Sequence, residues 1–269
     1  MTRLGIIGGG NMGEALIGGL LKGKLLEPAQ LLVSDLREER LEALSGRYKV
    51  KTTRDNLVAA RECETLVMAV KPQQVREVLD EIGDELGSHH LLISIAAGIP
   101  IRVIETKCPR PVAVIRVMPN TPASVQEVAA GIALGSHATP VHRDMVVRMF
   151  NAIGEAVVVD EAQMDAVTAL SGSGPAYLFH MVAALVEAGV AEGLPRETAQ
   201  ALAVQTMYGA ARMLSQTLED PVELRKKVTS AGGTTEAALK VLDAGRWNEI
   251  LREAVHAARV RSEELAAAA

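Results

Sequence analysis

Short apolar runs separated by amphipathic segments fill the first half of the chain. Leu4-Gly5-Ile6-Ile7 reads as a buried strand, and Glu14-Ala15-Leu16-Ile17 opens a helical pattern soon after. Leu31 to Asp35 predicts a second strand, Arg37 to Tyr48 a charged amphipathic helix, Val50 to Thr53 a third strand and Asp55 to Ala60 a short helix. Thr65 to Val70 is almost wholly apolar, as a parallel strand covered on both faces should be. A helix runs from about Pro72 to Leu86, and Leu91 to Ile95 and Val112 to Val117 are the fifth and sixth strands. Ala156 to Val159 adds one more strand before the pattern stops.

Beyond about Asp160 only helical spacing remains, in Met164 to Leu170, Pro175 to Gly193, Pro195 to Leu218, Pro221 to Lys227, Thr235 to Ala244 and Trp247 to Ala267. The predicted fold class is α/β: a Rossmann-type doubly wound sheet over 1–161, then an all-helical domain over 162–269. Several of these helices are apolar on more than one face. The Ala-rich spacing from Val182 to Leu214 predicts at least a homodimer built from the second domain.

Composition narrows the function classes. Of 269 residues, 48% are apolar but only 2% aromatic, so the core is built from Ala, Val, Leu, Ile and Met. Few aromatics, no basic stripe and a net charge of −5 argue against a nucleic-acid partner. Cys63 and Cys108 stand alone, without a C-x-x-C or a His/Cys cluster, so neither a disulfide nor a metal site is expected. No apolar run approaches the length of a membrane span, Leu91 to Ile101 being among the longest, and the expected location is cytoplasmic. His89, His90, His137, His142 and His256 lie in surface-like contexts, and His180 in a helix where packing is the simpler reading.

The candidate chemistry starts at Gly8-Gly9-Gly10-Asn11-Met12-Gly13, a G-x-G-x-x-G between strand and helix. Gly8 permits the tight turn, Gly10 lets a pyrophosphate approach the backbone, and Gly13 lets helix pack on strand. Free amides at the helix start, Asn11 and Met12 among them, then face the anion. Further ligands are expected in the loops after the strands. After strand two, Asp35 suits the ribose of NAD, whereas Ser34 and Arg37 suit the extra phosphate of NADP. Asn56 follows strand three, where a cofactor contact and a plain helix start are both open. Val70 and Lys71 follow strand four, and the small residues Ala96-Ala97-Gly98 follow strand five. Pro119-Asn120-Thr121-Pro122 is a rigid polar turn where a nicotinamide should lie, or a structural turn. In the helical half, Ser171-Gly172-Ser173-Gly174 and Thr229-Ser230-Ala231-Gly232-Gly233-Thr234-Thr235 carry glycines that a plain bundle would not want. The second precedes a helix start, where free amides suit a small carboxylate.

Taken with Val70-Lys71-Pro72-Gln73 and Met118-Pro119-Asn120-Thr121-Pro122, these stretches resemble the pyrroline-5-carboxylate reductase family over essentially the whole chain. The resemblance implies hydride transfer from NADPH, with NADH as the alternative, to the imine carbon of 1-pyrroline-5-carboxylate, giving proline. It places the cofactor on Gly8, Gly10, Asn11, Met12, Gly13, Ser34, Arg37, Asn56, Val70, Lys71, Ala97 and Asn120. It places the substrate on Ser230, Gly232, Gly233, Thr234 and Thr235, with the Thr235 hydroxyl, the catalytic candidate, on the ring nitrogen. It implies interlocked dimers assembled into pentamers of dimers. Two positions depart from the family pattern. Gly13 is more often Ala, which should matter little, and Ala231 replaces a frequent Pro, which should loosen the substrate loop. Two other readings compete. A hydroxy-acid dehydrogenase of this architecture needs a lysine after the glycine-rich helix start, and Gly172 to Met181 has none. A non-catalytic nicotinamide sensor has no use for the hydroxyl-rich Gly-Gly loop.

Overall fold

Alternation along each strand divides the core into two layers. Ile6, Val33, Val67, Ile93, Ile115, Val117 and Ile132 face one side of a sheet. Ile7, Leu32, Leu66, Met68, Leu92, Val114 and Ala133 face the other. Both sets are buried because helices cover both faces, so the strands read as apolar runs.

The computed structural model describes residues 4–267. The strands are β1 Leu4–Ile7, β2 Leu31–Ser34, β3 Lys51–Thr53, β4 Thr65–Met68, β5 Leu91–Ser94, β6 Ala113–Met118, β7 Val128–Leu134 and β8 Gly154–Val158. Their order is β3-β2-β1-β4-β5-β6-β7-β8, with every pair parallel except β6–β7. The chain direction across the sheet reverses between β1 and β4, which opens the crevice where such sheets bind ligands. The helices of this half are α1 Asn11–Lys22, α2 Glu38–Tyr48, α3 Asn56–Glu62, α4 Val75–Ile82, α5 Ile101–Lys107 and α6 Pro140–Asn151. Then come α7 Met164–Val167, α8 Gly174–Ala191, α9 Arg196–Thr217, α10 Pro221–Lys227, α11 Thr234–Ala244 and α12 Trp247–Ala267.

The Rossmann-type sheet and the helical second half are as expected. By contact the described residues form two compact units, 4–173 with 258–267, and 174–257. Three elements are absent from the sequence reading: α5, β7 and α6. β7, Val-Ala-Ala-Gly-Ile-Ala-Leu, has small residues where a half-buried strand would show polar ones. Gly131 in it accommodates Val167, whose Cγ1 would lie 2.7 Å from any Cβ there. β4 ends at Met68, which leaves Val70 and Lys71 in the loop beyond it.

The second unit is short of core. α8 and α9 pack together closely, with Gly189 facing Ala199, yet Leu178, Phe179, Leu185, Leu202 and Val204 are exposed on them. One stretch, Glu161–Ala191, is long and apolar enough to cross a membrane by length and composition alone, which corrects the expectation that no such stretch exists. Two histidine expectations are also corrected. His180 is exposed on α8 rather than packed, and His90 is 4% exposed rather than on the surface.

His90 closes the turn into β5. Its Nδ1 accepts from the Gly87 amide at 3.0 Å, so Nε2 carries the proton toward the Ala60 carbonyl, also at 3.0 Å. Burial pushes its pKa below the usual histidine value, outweighing the bond to Ala60. Between the lowered folded value and the ordinary value near 6.5, the unfolded chain holds more protons. The neutral ring therefore contributes stability above about pH 6.5 that is lost as pH falls. The thermal midpoint of wild type should exceed that of His90→Gln at about pH 7.5, and the gap should narrow toward about pH 5.5. A gap independent of pH would contradict a neutral buried ring.

Candidate functional site

The glycine turn leaves the end of β1 beside β2 and the loop that follows β4. Gly8 has φ +104°, a left-handed conformation that glycine adopts without strain. Its amide donates to the Ser34 carbonyl at 2.8 Å, and a Cβ on it would lie 2.6 Å from the Ala69 oxygen. Backbones from β2 and β4 thus pinch the chain from both sides. Nothing lies within 4 Å of a Cβ built on Gly10, so the chain leaves open space there. α1 starts at Asn11, earlier than the pattern opening at Glu14 suggests. Its first intrahelical bond runs from Glu14 N to Gly10 O at 2.9 Å, which leaves the amides of Asn11, Met12 and Gly13 outside the helix ladder. Open space, free amides and a helix N-terminus fit a pyrophosphate. Gly13 departs from the expectation that Ala would serve equally. A Cβ there would sit 2.4 Å from Gly8 O, so an alanine requires the turn to open.

Charges lock this turn. The Asp35 carboxylate accepts from the Gly9 amide at 2.9 Å and from the Arg37 amide and guanidinium at 2.9 to 3.0 Å. Burial pushes the Asp35 pKa up, but hydrogen bonds from Arg37 and Gly9 outweigh it and hold the carboxyl below its usual range. On α2, Arg40 donates to the carbonyls of Gly9 and Gly10 and pairs with Glu14 at 2.5 Å. Arg47 at 2.9 Å and the Tyr48 hydroxyl at 3.1 Å complete the shell of Glu14. Its carboxyl, pushed up by burial, is pulled lower overall by Arg40, Tyr48 and Arg47. Sequence reasoning missed Arg40 and Glu14. A signal existed, since Arg40, Leu44 and Arg47 share one face of α2 and Leu44 packs beside Gly9.

The remaining cofactor candidates fall into two groups. Met12 is half-buried, whereas Asn11, Lys71 and Ala97 are exposed near strand ends; the Lys71 amide is capped by Gln74 at 3.3 Å. Val70 lies beside Gly8. Others are engaged with protein partners. Ser34 is 1% exposed and its hydroxyl donates to Asn56 Oδ1 at 2.6 Å, while Asn56 Nδ2 donates to Glu81 at 2.7 Å. Asn120 uses both ends of its amide: Oδ1 accepts from Ala129 N at 3.0 Å, and Nδ2 donates to Ser171 O at 3.1 Å. Ser171 in turn donates to Ala129 O at 3.3 Å. The Met118–Pro122 turn is thereby stapled to Thr168–Gly172, which is π-helical, a form frequent at functional sites.

In the second unit, Ser230 to Thr235 form one tight loop leading into α11. Gly232 has φ +72°, and the Gly233 amide donates to Ser230 O at 3.0 Å. The first bond of α11 is Ala237 N to Gly233 O at 3.2 Å, which leaves the amides of Thr234 and Thr235 outside the ladder. The Gly232 amide is held by Glu236 Oε2 at 2.7 Å, and Lys240 stands 3.4 Å from the other Glu236 oxygen. The loop already holds one carboxylate, its own. Among the described residues no cluster of His, Cys, Asp and Glu suits a metal.

Known proteins match this chain over nearly its whole length. A pyrroline-5-carboxylate reductase of Methanosarcina acetivorans is 41% identical over 263 residues, covering 98% of this chain and 97% of its own. That of Synechocystis is 42% identical over 263 residues, covering 98% of each chain. The chain belongs to the pyrroline-5-carboxylate reductase family. Two family models match parts of it: pyrroline-5-carboxylate reductase dimerisation over residues 161–265, and NADP oxidoreductase, coenzyme F420-dependent, over residues 3–98. Among solved structures, the reductase of Coxiella burnetii is 37% identical with a TM-score of 0.94, and 98% of each chain is covered. That of Plasmodium falciparum, solved with NADP bound, is 30% identical with a TM-score of 0.86 and the same coverage. Within this reductase family the exposed apolar side chains of α8 and α9 lie in the module named for dimerisation, and the protein is an oligomer.

The clamp on the glycine turn is testable by comparing two arginines. Arg40→Met removes charge-assisted bonds to two carbonyls and to Glu14, and should lower the unfolding free energy by about 1.5–3 kcal/mol in urea titrations. Arg47→Met removes an exposed ion pair and should cost less than about 1 kcal/mol. Equal losses would contradict the clamp.

Proposed function

We propose that this chain reduces 1-pyrroline-5-carboxylate to L-proline with NADPH, the last step of proline biosynthesis. The observation that carries the reading is a glycine turn fitted to a pyrophosphate on the same chain as a Gly-Gly loop fitted to a small carboxylate. Full-length kinship to reductases of this name supports it. NADPH, when bound, supplies the hydride.

The chain's own residues bind and orient. Gly8, Gly10, Asn11, Met12 and Gly13 take the pyrophosphate, with no Cβ in its way at Gly10. Arg37 meets the extra phosphate of NADPH. Its bidentate partnership with Asp35 also quiets the carboxylate that would repel that phosphate. Ser34 and Asn56 serve the adenosine side as a bonded pair, and Val70, Lys71, Ala97 and Asn120 the nicotinamide side. For the substrate, the amides of Gly232 and Thr234 receive the carboxylate, while the Gly233 amide, bonded to Ser230 O, holds the loop in shape. The substrate carboxylate takes the Gly232 amide that Glu236 now holds, and Lys240 remains as a partner for the released Glu236. The Thr235 hydroxyl bonds the ring nitrogen. As the carbon receives hydride, the nitrogen takes a proton from solvent and becomes an amine. No strong general acid is needed, because positioning two reactants supplies most of the effect.

Residues 1–161 carry the cofactor and residues 162–269 the substrate loop and the dimer contact. The assembly is a homodimer, and a pentamer of dimers is what the family resemblance implies. NADH is the secondary cofactor. A cytoplasmic location agrees with a chain of only two cysteines and with an apolar Glu161–Ala191 stretch that lies within the dimerisation module. The acidic net charge opposes a nucleic-acid partner, and the dimer contact gives that apolar stretch a use other than membrane insertion.

The test follows proline formed and reduced nicotinamide consumed. Wild type should form proline in step with NADPH loss, and no proline with either reduced cofactor would overturn the reading. Thr235→Ala should lose about tenfold to a hundredfold in kcat/KM, and Thr235→Ser should keep most of it. If Thr235 serves only the first turn of α11, both variants would change stability by about 1 kcal/mol or less at near-normal rates.

A further inference from the structure

Arg116 is the one lysine or arginine buried among the described residues, 3% exposed. It lies on β6 in register with Ser94 of β5 and Ala133 of β7. Its Nη1 donates to Glu161 Oε1 at 3.0 Å, and the same oxygen accepts from the amide of Ile101, the first residue of α5, at 3.0 Å. The other halves of the pair, Arg116 Nη2 and Glu161 Oε2, are buried without a hydrogen-bond partner among the described residues. The Arg116 side chain is buried while that of Glu161 is 35% exposed, and a half-satisfied ion pair of this kind is a poor stabiliser compared with apolar packing. Its use lies in what it joins.

Three segments meet at Glu161 Oε1. Ile101 ends the loop after β5, which contains Ala96, Ala97 and Gly98. Arg116 stands two residues before Met118, where the turn carrying Asn120 begins. Glu161 itself opens the segment running to Thr168–Gly172, the stretch to which Asn120 is stapled. Met118 closes the same circuit, because its Cε would lie 2.6 Å from a Cβ on Gly172. The first two segments follow the C-terminal ends of β5 and β6, on the side of the switch point away from β2 and β3, and the third follows β8, which runs antiparallel to them.

We propose that Arg116 and Glu161 are positioning residues for the nicotinamide end of the cofactor site. They fix the loops after β5 and β6 relative to each other and touch neither cofactor nor substrate. The inference rests on the cofactor half of the functional reading and not on the identity of the imine.

The test compares two ligands by calorimetry on the full chain. NADP⁺ spans the whole site, whereas 2′,5′-ADP fills only the adenosine end, near β1 to β3. Glu161→Gln keeps an acceptor for Ile101 but removes the charge that holds Arg116. It should weaken NADP⁺ about tenfold while leaving 2′,5′-ADP within about twofold, and kcat should fall more than KM for the imine rises. Should that variant fail to fold, Arg116→Met/Glu161→Gln removes both charges of the pair and leaves no unpaired buried cation, and should give the same split. Equal weakening of both ligands, or of neither, overturns the proposal alone. A wild-type chain that binds neither ligand overturns the cofactor reading and this proposal with it.

Discussion

The close approach of three backbones at Gly8 is the constraint on which the rest depends. β1 ends between β2 and β4, paired with both to its last residue, and the chain must turn at once without striking either. A left-handed φ, a bond to the Ser34 carbonyl and bare contact with Ala69 achieve the turn. Only glycine fits both requirements. Everything downstream inherits that geometry: the start of α1 at Asn11, the free amides of its first turn, and the empty space beside Gly10.

Such a turn needs bracing, because its glycines are conformationally free. Asp35 holds the Gly9 amide while Arg40 holds the carbonyls of Gly9 and Gly10, so both faces of one peptide segment are fixed by charged side chains. A fixed turn presents its amides already oriented, and less ordering remains to be done on binding. The second unit uses a similar device in miniature, with Glu236 bonded to the Gly232 amide. Each glycine loop carries its own carboxylate partner, Asp35 in one case and Glu236 in the other.

Much of this was legible in the sequence, and the gaps have physical causes. The parallel strands announce themselves by apolar runs, and β1 with the glycine spacing places the crevice. β7 was not legible, because its small residues are dictated by Val167 packing across Gly131, a contact 36 positions away. The chemical types of Ser34, Asn56 and Asn120 suited ligand contacts, but only coordinates reveal that Ser34 spends its hydroxyl on Asn56 and that Asn120 spends its amide on Ala129 and Ser171. Arg116 looked like an ordinary strand residue, since its partner Glu161 lies 45 positions on. The substrate loop was readable as a motif, whereas the capture of its Gly232 amide by Glu236 was not.

The fold itself requires glycine at Gly8 and Gly13, whereas at Gly10 only a ligand does, so Gly10 tests whether the turn is built to receive one. Its φ of −67° is open to any residue, and a Cβ there meets nothing in the protein. The most direct measurement is the dissociation constant for NADP⁺ of Gly10→Ala set beside its thermal midpoint. The account predicts stability within about 1 kcal/mol of wild type and affinity at least about tenfold weaker, because the methyl occupies the space left for the pyrophosphate. Unchanged affinity in a normally folded variant would contradict it.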